Sequence, residues 1–256
     1  MYDIAVIGAG ASGMVAAISA KKADSSLSVV LIEALPKIGK KILATGNGRC
    51  NLSNLSAVTE SYNNYAVKDI IKRYGPNAVK DFFSSIGLEC VSDSESRLYP
   101  MSNMASSVLD CLRFEINRLG IDVLTDTKAD SVRKTSEGFN INGSVDCRRL
   151  IISTGGKASP SQGSDGSGYL LLKGFGHKIT QLYPGLVQLV VKENLKTLKG
   201  IRVRASVSLR LKNGKEIDKS VGEVLFADYG LSGIAIMDVS RSVKNNDCKC
   251  VLNIVP

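Results

Sequence analysis

Tryptophan is absent from the sequence, and aromatic residues make up only 5% of its 256 positions. Aromatic platforms on which bases could stack are therefore scarce, which argues against a protein that binds single-stranded nucleic acid by stacking. Histidine is almost absent as well. The one histidine, His177, follows Gly176, and we interpret it as a structural residue rather than a general acid.

Paired cysteine motifs are also missing. The six cysteines form no C-x-x-C pair and show no paired zinc-ligand spacing; they are Cys50, Cys90, Cys111, Cys147, Cys248 and Cys250. This pattern argues against a disulfide-reductase mechanism, and it predicts no metal site. Unpaired cysteines are typical of a reduced cytosolic protein.

Long apolar runs without charge are missing too. The first twenty residues are apolar, but they lack a basic start, contain Asp3 and hold three glycines, so we do not interpret them as a signal peptide. No stretch reaches membrane-spanning length without a charge. The sequence therefore predicts a soluble cytoplasmic protein with no membrane partner.

Basic residues are in excess, with 33 Lys and Arg against 24 Asp and Glu and a net charge of +9. They are scattered along the chain, apart from short pairs such as Lys40-Lys41. We interpret them as a solvated basic surface, so nucleic acid is not the expected partner; an anionic ligand or RNA is the alternative. Hydrophobic residues make up 44% of the chain, enough for one large domain or two ordinary ones.

The N-terminal segment predicts a strand, a helix and a second strand. Residues 2–7 (YDIAVI) form an apolar run, residues 11–22 are small and apolar residues suited to a helix, and residues 28–32 (SVVLI) are rich in β-branched residues. This order is typical of a βαβ unit with parallel strands.

A dinucleotide-binding fingerprint lies inside this unit. Gly8-x-Gly10-x-x-Gly13 joins the first strand to the helix, and Glu33 follows Gly13 by twenty residues, at the end of the second strand. Gly8 allows the tight turn, Gly10 lets backbone N–H groups approach a diphosphate, and Gly13 lets helix and strand touch. Glu33 is expected to bind a ribose. Both NAD and FAD fit this fingerprint; its other predicted cofactor contacts are Ala9, Ala11 and Ser12.

The rest of the chain predicts a long excursion and then a β-rich part. Helices are predicted over 66–74, 76–86 and 104–119, a third parallel strand over 121–124, and short strands within 128–153. An NAD-only dehydrogenase would continue with successive strands and helices instead, so the excursion favours FAD. Beyond Tyr183-Pro184-Gly185 the pattern is β-like, with Asn213-Gly214 as a hairpin turn. We therefore predict an FAD-binding domain (1–184) and a β-rich domain (185–256).

Several segments together resemble the BaiN/YhiN-like flavoproteins, a family that includes proteins described as aminoacetone oxidases and 3-dehydro-bile acid delta(4,6)-reductases. In chain order they read VIGAGASG, IEALPKIGKKILATGNGRCNLSN, RLYPMSNMASSVLDCL, TGG and GEVLFADYGLSGIAI. The resemblance implies an α/β fold, with a glutathione-reductase-like FAD-binding Rossmann domain and a second, β-rich domain. Family members continue well beyond residue 256, so it also implies a chain that is incomplete at the C-terminus.

The resemblance further implies an FAD-dependent oxidoreductase that passes hydride between NAD(P)H and a small organic substrate. The loop after the second strand would form the flavin cradle, through Lys41, Gly46, Asn47, Gly48, Arg49, Cys50 and Asn51. The backbone of Thr154, Gly155 and Gly156 is expected to pass close to the cofactor, and the backbone near Ala129 to meet the adenine. Cys50 is expected to modulate the flavin without covalent chemistry. The alternatives are a non-catalytic module that binds FAD or ADP-ribose and an RNA-associated flavoprotein; no residue is assigned as catalytic.

Overall fold

Residues 1–62, 64–243 and 247–254 are described by a computed structural model. The chain divides into two units, Met1–Ile179 and Thr180–Pro256. The division between residues 184 and 185 that the sequence favours stays a prediction. No described helix is both long enough and apolar enough to cross a membrane.

The first unit contains short strands and five α-helices within the described residues. Its strands are β1 (Tyr2–Ile7), β2 (Val29–Ile32), β3 (Ser53–Asn54), β4 (Cys90–Ser92), β5 (Arg97–Pro100), β6 (Asp122–Leu124), β7 (Val132–Lys134), β8 (Phe139–Ile141) and β9 (Val145–Ile152). Its helices are α1 (Ala11–Ala23), α2 (Tyr65–Arg73), α3 (Pro76–Ser85), α4 (Ala105–Arg118) and α5 (Gly168–Gly174). The first four helices are confirmed to within one residue at each end.

The main sheet has the strand order β6-β2-β1-β9-β8-β7. Strands β6, β2, β1 and β9 are parallel, whereas β8 and β7 are antiparallel. Ile7 at the end of β1 lies opposite both Ile32 and Ile152. Because these three strands end at the same level, the residues that follow them meet at one edge of the sheet. In open parallel sheets this carboxyl edge is where ligands bind.

Helices α1 and α4 cover one face of this sheet. Met14 and Ile18 of α1 and Leu112 of α4 are fully buried in the same apolar cluster. Glu115 of α4 is also buried, and its carboxylate bonds Arg118 and an ammonium group on α1, that of Lys22. A buried carboxylate is stable only when it is paired in this way, so this ion cluster joins the two helices.

A second sheet in the first unit was not predicted from the sequence. It has the order β3-β5-β4 and is antiparallel. Its strands are only two to four residues long, and Ser53 pairs with Leu98, far along the chain. This sheet supports the segment that follows β2.

The second unit is β-rich, as predicted. Its elements are β10 (Leu189–Val190), β11 (Arg202–Leu211), β12 (Glu216–Ala227), β13 (Gly230–Ser232), α6 (Ile234–Ser240) and β14 (Cys248–Asn253). The antiparallel sheet has the order β10-β13-β12-β11-β14, and α6 packs on β12 and β11. The predicted turn at Asn213-Gly214 joins β11 to β12, with a hydrogen bond from the Gly214 N–H to the Leu211 carbonyl at 2.9 Å.

Candidate functional site

A cleft of about 300 Å³ lies at the carboxyl edge of the main sheet. The Gly8 N–H donates to the Ile32 carbonyl at 2.8 Å, and the Ser153 N–H donates to the Ile7 carbonyl at 2.7 Å. These bonds hold the three chain segments that leave β1, β2 and β9 side by side. Half of the predicted cofactor-binding residues line the cleft: Gly8, Gly10, Ala11, Ser12, Glu33, Lys41, Ala129, Thr154 and Gly155.

The three glycines of the fingerprint are needed for different reasons. Gly8 has a φ of +95°, and a Cβ there would lie 2.7 Å from the Ser153 carbonyl oxygen. A Cβ on Gly13 would overlap the carbonyl oxygen of Gly8. Gly10 has extended backbone angles (φ −76°, ψ −171°), and a Cβ there would meet no heavy atom of the described residues within 4 Å. The fold therefore requires glycine at positions 8 and 13, whereas only the open space of the cleft adjoins Gly10.

The N-terminus of α1 opens into this cleft. Gly10 is its N-cap, and within the described residues no side chain caps the amides of the first turn. Ala11 and Ser12, the first two residues of the helix, line the cleft. Uncapped N–H groups at a helix start, together with the positive end of the helix dipole, favour an anionic ligand.

Glu33 is fixed at the opposite side of the turn. Its Oε2 accepts a hydrogen bond from the Ala9 N–H at 2.9 Å, and its Oε1 accepts one from the Leu35 N–H at 3.0 Å. Each carboxylate oxygen can accept a further hydrogen bond. Glu33 lines the cleft, so a ligand with two neighbouring hydroxyl groups can donate to it.

The Ser/Gly-rich segment after β9 forms another wall of the cleft. The Lys41 Nζ donates to the Ser164 Oγ at 2.6 Å, and the Lys40 Nζ donates to the Ser161 carbonyl at 2.9 Å. Ser164 is buried, and a Cβ on Gly155 would lie 2.8 Å from its Oγ. The sequence analysis did not identify Ser164 as a site residue. The excess of Ser and Gly was the available signal.

The cleft is lined by more positive than negative side chains. Lys37, Lys40, Lys41 and Lys128 line it, and among the described lining residues Glu33 is the one carboxylate. Three of these lysines lie on the segment between β2 and residue 42, and the fourth follows β6. This charge balance fits a ligand that carries phosphate groups.

The remaining predicted residues are not part of the described cleft lining. Ala9 is fully buried beneath it, and its carbonyl accepts a bond from the Gly39 N–H at 2.9 Å. Gly13 lies in α1 behind the turn, and Gly156 lies beside the Tyr169 hydroxyl. His177, which we predicted to be structural, is exposed after α5. The last predicted group forms the loop Gly46, Asn47, Gly48, Arg49, Cys50 and Asn51.

This loop has an unusual backbone. Segment Lys40–Gly48 forms two short 3-10 turns, interrupted where Thr45, Gly46 and Asn47 leave helical angles. Asn47 and Cys50 are left-handed although they are not glycine, with φ of 55° and 59°. The Cys50 N–H donates to the Thr45 carbonyl at 3.0 Å, which holds the loop closed.

Cys50, which belongs to this loop, is buried. Burial raises the pKa of its thiol, and a hydrogen bond with Thr45 offsets this only in part. The thiol is therefore protonated at neutral pH, and a protonated thiol is a weak nucleophile.

Arg49 projects from the same loop onto β5. Its guanidinium carbon lies 4.3 Å from the centre of the Tyr99 ring, and its Nη2 donates to the Tyr99 hydroxyl at 3.3 Å. Tyr99 itself is buried. No local pattern in the sequence marks this pair, because the two residues are fifty positions apart.

Comparisons with known proteins assign the chain to a family. A family model described as the HI0933-like protein Rossmann domain matches residues 2–242. The chain belongs to the HI0933-like family. A 3-dehydro-bile acid delta(4,6)-reductase of Clostridium scindens is 38% identical over 251 residues, which are 95% of this chain and 61% of that protein. The family predicted from the sequence is thereby confirmed.

Another relative of this HI0933-like chain is a ribosomal RNA dihydrouridine synthase of Escherichia coli. It is 30% identical over 249 residues, which are 93% of this chain and 60% of that protein. The chain thus spans about three fifths of the length of both relatives. Among solved structures, the open conformation of a flavocytochrome c3 fumarate reductase has a TM-score of 0.51 and 17% identity, covering 79% of this chain and 46% of that chain. This likeness agrees with the predicted fold, a Rossmann-type FAD-binding fold with a second, β-rich domain.

Proposed function

We propose that this chain forms the FAD-binding part of an FAD-dependent oxidoreductase that passes hydride between NAD(P)H and a small organic substrate. The observation that carries the proposal is Gly10. Its backbone angles suit any residue and a side chain there would touch no described atom, so the fold does not account for glycine at this position. A ligand that lies against the backbone does account for it, because a side chain would fill the ligand's place.

The phosphates of FAD would lie at the start of α1. The free N–H groups of Ala11 and Ser12 and the close approach at Gly10 suit a diphosphate. Lys40 and Lys41 are nearby cations whose ammonium groups are already held in place, by the Ser161 carbonyl and the Ser164 hydroxyl. These groups match the negative charge of a diphosphate without any change in the fold.

The adenosine would lie against Glu33 and the segment after β6. The Glu33 carboxylate is held by two backbone N–H groups and has acceptor capacity left for the ribose hydroxyls. Ala129, next to Lys128, lines the same part of the cleft and offers backbone groups to the adenine. Glu33 thus binds a ribose by charge-assisted hydrogen bonds.

The flavin end of the cofactor would extend past Lys41 and the end of β9. Thr154, Gly155 and Gly156 would lie along it, and the loop from Gly46 to Asn51 would close over the ring. FAD bound there supplies two-electron redox chemistry. The chain's own residues would orient the ring and tune its charge; Lys41 is the cation best placed to do so.

The substrate class follows from the names of the two relatives. A delta(4,6)-reductase of a 3-dehydro bile acid and a dihydrouridine synthase both reduce carbon–carbon double bonds. In each substrate a reduced double bond is conjugated to a carbonyl group. We therefore propose an α,β-unsaturated carbonyl compound as the substrate of this chain's enzyme, in the form of a small molecule.

A second candidate is an enzyme that reduces uracil in RNA. The name of the Escherichia coli relative favours it, and so does the net charge of +9. RNA binding through such charge weakens steeply as salt concentration rises, whereas binding of a neutral small molecule does not. The non-catalytic alternative, a module that only holds FAD or ADP-ribose, predicts cofactor binding without reduction.

The experiment has three steps on the purified protein. The visible spectrum and an FAD titration test cofactor binding, and anaerobic addition of NADH and of NADPH tests reduction of the bound flavin. Reoxidation by a 3-oxo-4-ene steroid or by a uridine-containing RNA then separates the two substrate classes. A protein that neither carries nor binds FAD contradicts the proposal, and one that binds FAD but is reduced by neither nicotinamide favours the non-catalytic module.

A further inference from the structure

Arg49 is held in place by an aromatic ring and not by a carboxylate. Its guanidinium lies over the Tyr99 ring and bonds the Tyr99 hydroxyl. None of the ion pairs among the described residues involves Arg49. By contrast, Arg97, which lies in β5 together with Tyr99, is paired with both Asp93 and Glu95. Arg49 is exposed, and the ring contact and the hydrogen bond to Tyr99 give its guanidinium a preferred position without pairing its charge.

The backbone around Arg49 is built to keep it there. The Arg49 N–H donates to the Gly46 carbonyl at 3.2 Å. The residues on either side of Arg49, Gly48 and Cys50, both have positive φ. Immediately after the loop, the Leu52 N–H donates to the Leu98 carbonyl at 2.8 Å, next to Tyr99 in β5. The loop and the strand thus form one assembly that fixes both members of the stack. Left-handed backbone at non-glycine residues is unfavourable and persists where the surrounding structure enforces it.

The remaining donors of Arg49 are available to a ligand. A guanidinium has five N–H donors, and within the described part of the chain the Arg49 side chain uses one of them, toward Tyr99. Stacking on a ring leaves the edge of the guanidinium plane open, and that edge binds oxygen atoms in pairs. A cation fixed in advance stabilises negative charge that develops on an oxygen, with little reorganisation.

We propose that Arg49, positioned by Tyr99, binds the carbonyl oxygen of the substrate and stabilises the negative charge that this oxygen gains during reduction. The inference rests on the proposed function. Hydride from the reductant adds to the double-bond carbon remote from the carbonyl. The π electrons move to the carbonyl oxygen and give an enolate, and a solvent proton then adds to the carbon next to the carbonyl. Arg49 acts on the enolate oxygen, and Tyr99 is its positioning residue.

Equilibrium binding of an enolate mimic tests this assignment without turnover. The probe is 4-nitrophenolate, titrated into the FAD-loaded protein at a pH where the phenol is ionised and followed by the flavin visible spectrum. In Arg49→Gln we expect phenolate binding about 10- to 100-fold weaker, because one charged hydrogen-bond donor group is lost. Arg49→Lys keeps the charge but not the paired donors, and we expect a loss of about tenfold.

Lys68 provides a matched control. Its Nζ also lies over a tyrosine ring, that of Tyr65, at 5.0 Å, but on α2, which lies outside the loop from Gly46 to Asn51 that is proposed to close over the flavin. Lys68→Gln should leave phenolate affinity unchanged within about twofold, because Lys68 is not part of the proposed flavin loop. An equal loss in Lys68→Gln and Arg49→Gln would mean that net charge alone is responsible, and it would overturn the assignment.

Substitutions of Tyr99 test the positioning role. Tyr99→Phe keeps the ring and should weaken phenolate binding less than about fivefold, whereas Tyr99→Leu removes the stack and should weaken it about tenfold or more. If Tyr99→Leu does not fold, the two Arg49 variants decide the matter alone. Wild-type protein that binds FAD but not phenolate, or Arg49→Gln protein that binds both normally, overturns the inference and leaves the proposed function standing. Failure of the wild type to bind FAD overturns the proposed function itself.

Discussion

Two glycine-rich segments of the first unit, Gly8–Gly13 and Gly46–Cys50, differ in what fixes their shape. In the first, left-handed backbone falls on Gly8, and collisions inside the protein explain Gly8 and Gly13 but not Gly10. In the second, Asn47 and Cys50 share the left-handed backbone with glycines, and contacts with β5 hold the loop. The first segment therefore places its left-handed turn on a glycine that packing against Ser153 also requires, whereas the second places left-handed backbone on residues other than glycine, where contacts with β5 hold it. A glycine that the fold does not need, such as Gly10, points to a ligand.

The largest effect on stability is expected at Gly13, which packs against the Gly8 carbonyl in the first segment. In Gly13→Ala the new methyl group overlaps the Gly8 carbonyl oxygen. We expect a loss of about 3 kcal/mol in unfolding free energy, seen as a melting temperature lower by roughly 6 to 12 °C. Thermal unfolding of the FAD-free protein measures this. Gly174→Ala is the control, since a Cβ there meets no described atom within 4 Å; equal melting temperatures for the two variants would refute the collision.

A substitution in the helices behind the first segment should lower stability without touching the cleft. Hydrogen bonds from Arg118, and then from Lys22, lower the pKa of Glu115 from 4.5 to about 2. The ionised carboxylate therefore contributes stability that is present above pH 4.5 and is lost as the pH falls toward 2. We expect Glu115→Gln to lose about 2 kcal/mol at pH 7 and distinctly less at pH 3, with unchanged FAD affinity. Urea unfolding at both pH values measures this; a difference independent of pH would contradict the assignment.

A substitution of Glu33 tests the proposed ribose contact without replacing a residue of the first segment. Glu33→Gln removes the charge and one of the two backbone acceptor positions. We expect FAD affinity to fall by about 1 to 2 kcal/mol, measured by calorimetric titration. Glu95→Gln, in which an exposed carboxylate paired with Arg97 is changed, should bind FAD normally. Equal affinities for the wild type and Glu33→Gln would place the ribose elsewhere.

The smallest effect is expected in the second segment, at its thiol. Burial raises the pKa of Cys50, so the group is neutral and takes no covalent part. Cys50→Ser should reduce the rate of flavin reduction by NAD(P)H less than about tenfold, or about 1.4 kcal/mol of barrier. Stopped-flow absorbance measures this, with Cys111→Ser as a cysteine control outside the loop. A loss of a hundredfold or more would assign chemistry to the thiol.

Features that depend on neighbouring residues were predictable from the sequence, and features that depend on distant residues were not. The β1-α1-β2 unit and the fingerprint were predictable because strand period, helix period and turn chemistry are all local. The sheet β3-β5-β4 was not, because strands of two to four residues carry little pattern, and β3 pairs with β5 across more than forty positions. The fold class came from the family resemblance as much as from periodicity.

The candidate site divides in the same way. Gly10 and Glu33 were found from spacing, and the structure brings them to one cleft. The bond between Lys41 and Ser164 joins residues 123 positions apart, and no local signal marks such a pair. The stack of Arg49 on Tyr99 is equally nonlocal. Contacts between residues that are far apart in the chain can be identified only from the structure.

Gly10→Val is the most direct test of the cofactor site. The backbone angles at position 10 permit valine and no described atom lies in its way, so the FAD-free variant should keep its melting temperature within about 4 °C, the effect of roughly 1 kcal/mol at a helix N-cap. Its side chain would occupy the place proposed for the diphosphate. FAD titration of the folded variant should show affinity at least about a hundredfold weaker than that of the wild type, or about 2.7 kcal/mol. A stable Gly10→Val protein that binds FAD as tightly as the wild type would show that the phosphates do not lie at the start of α1.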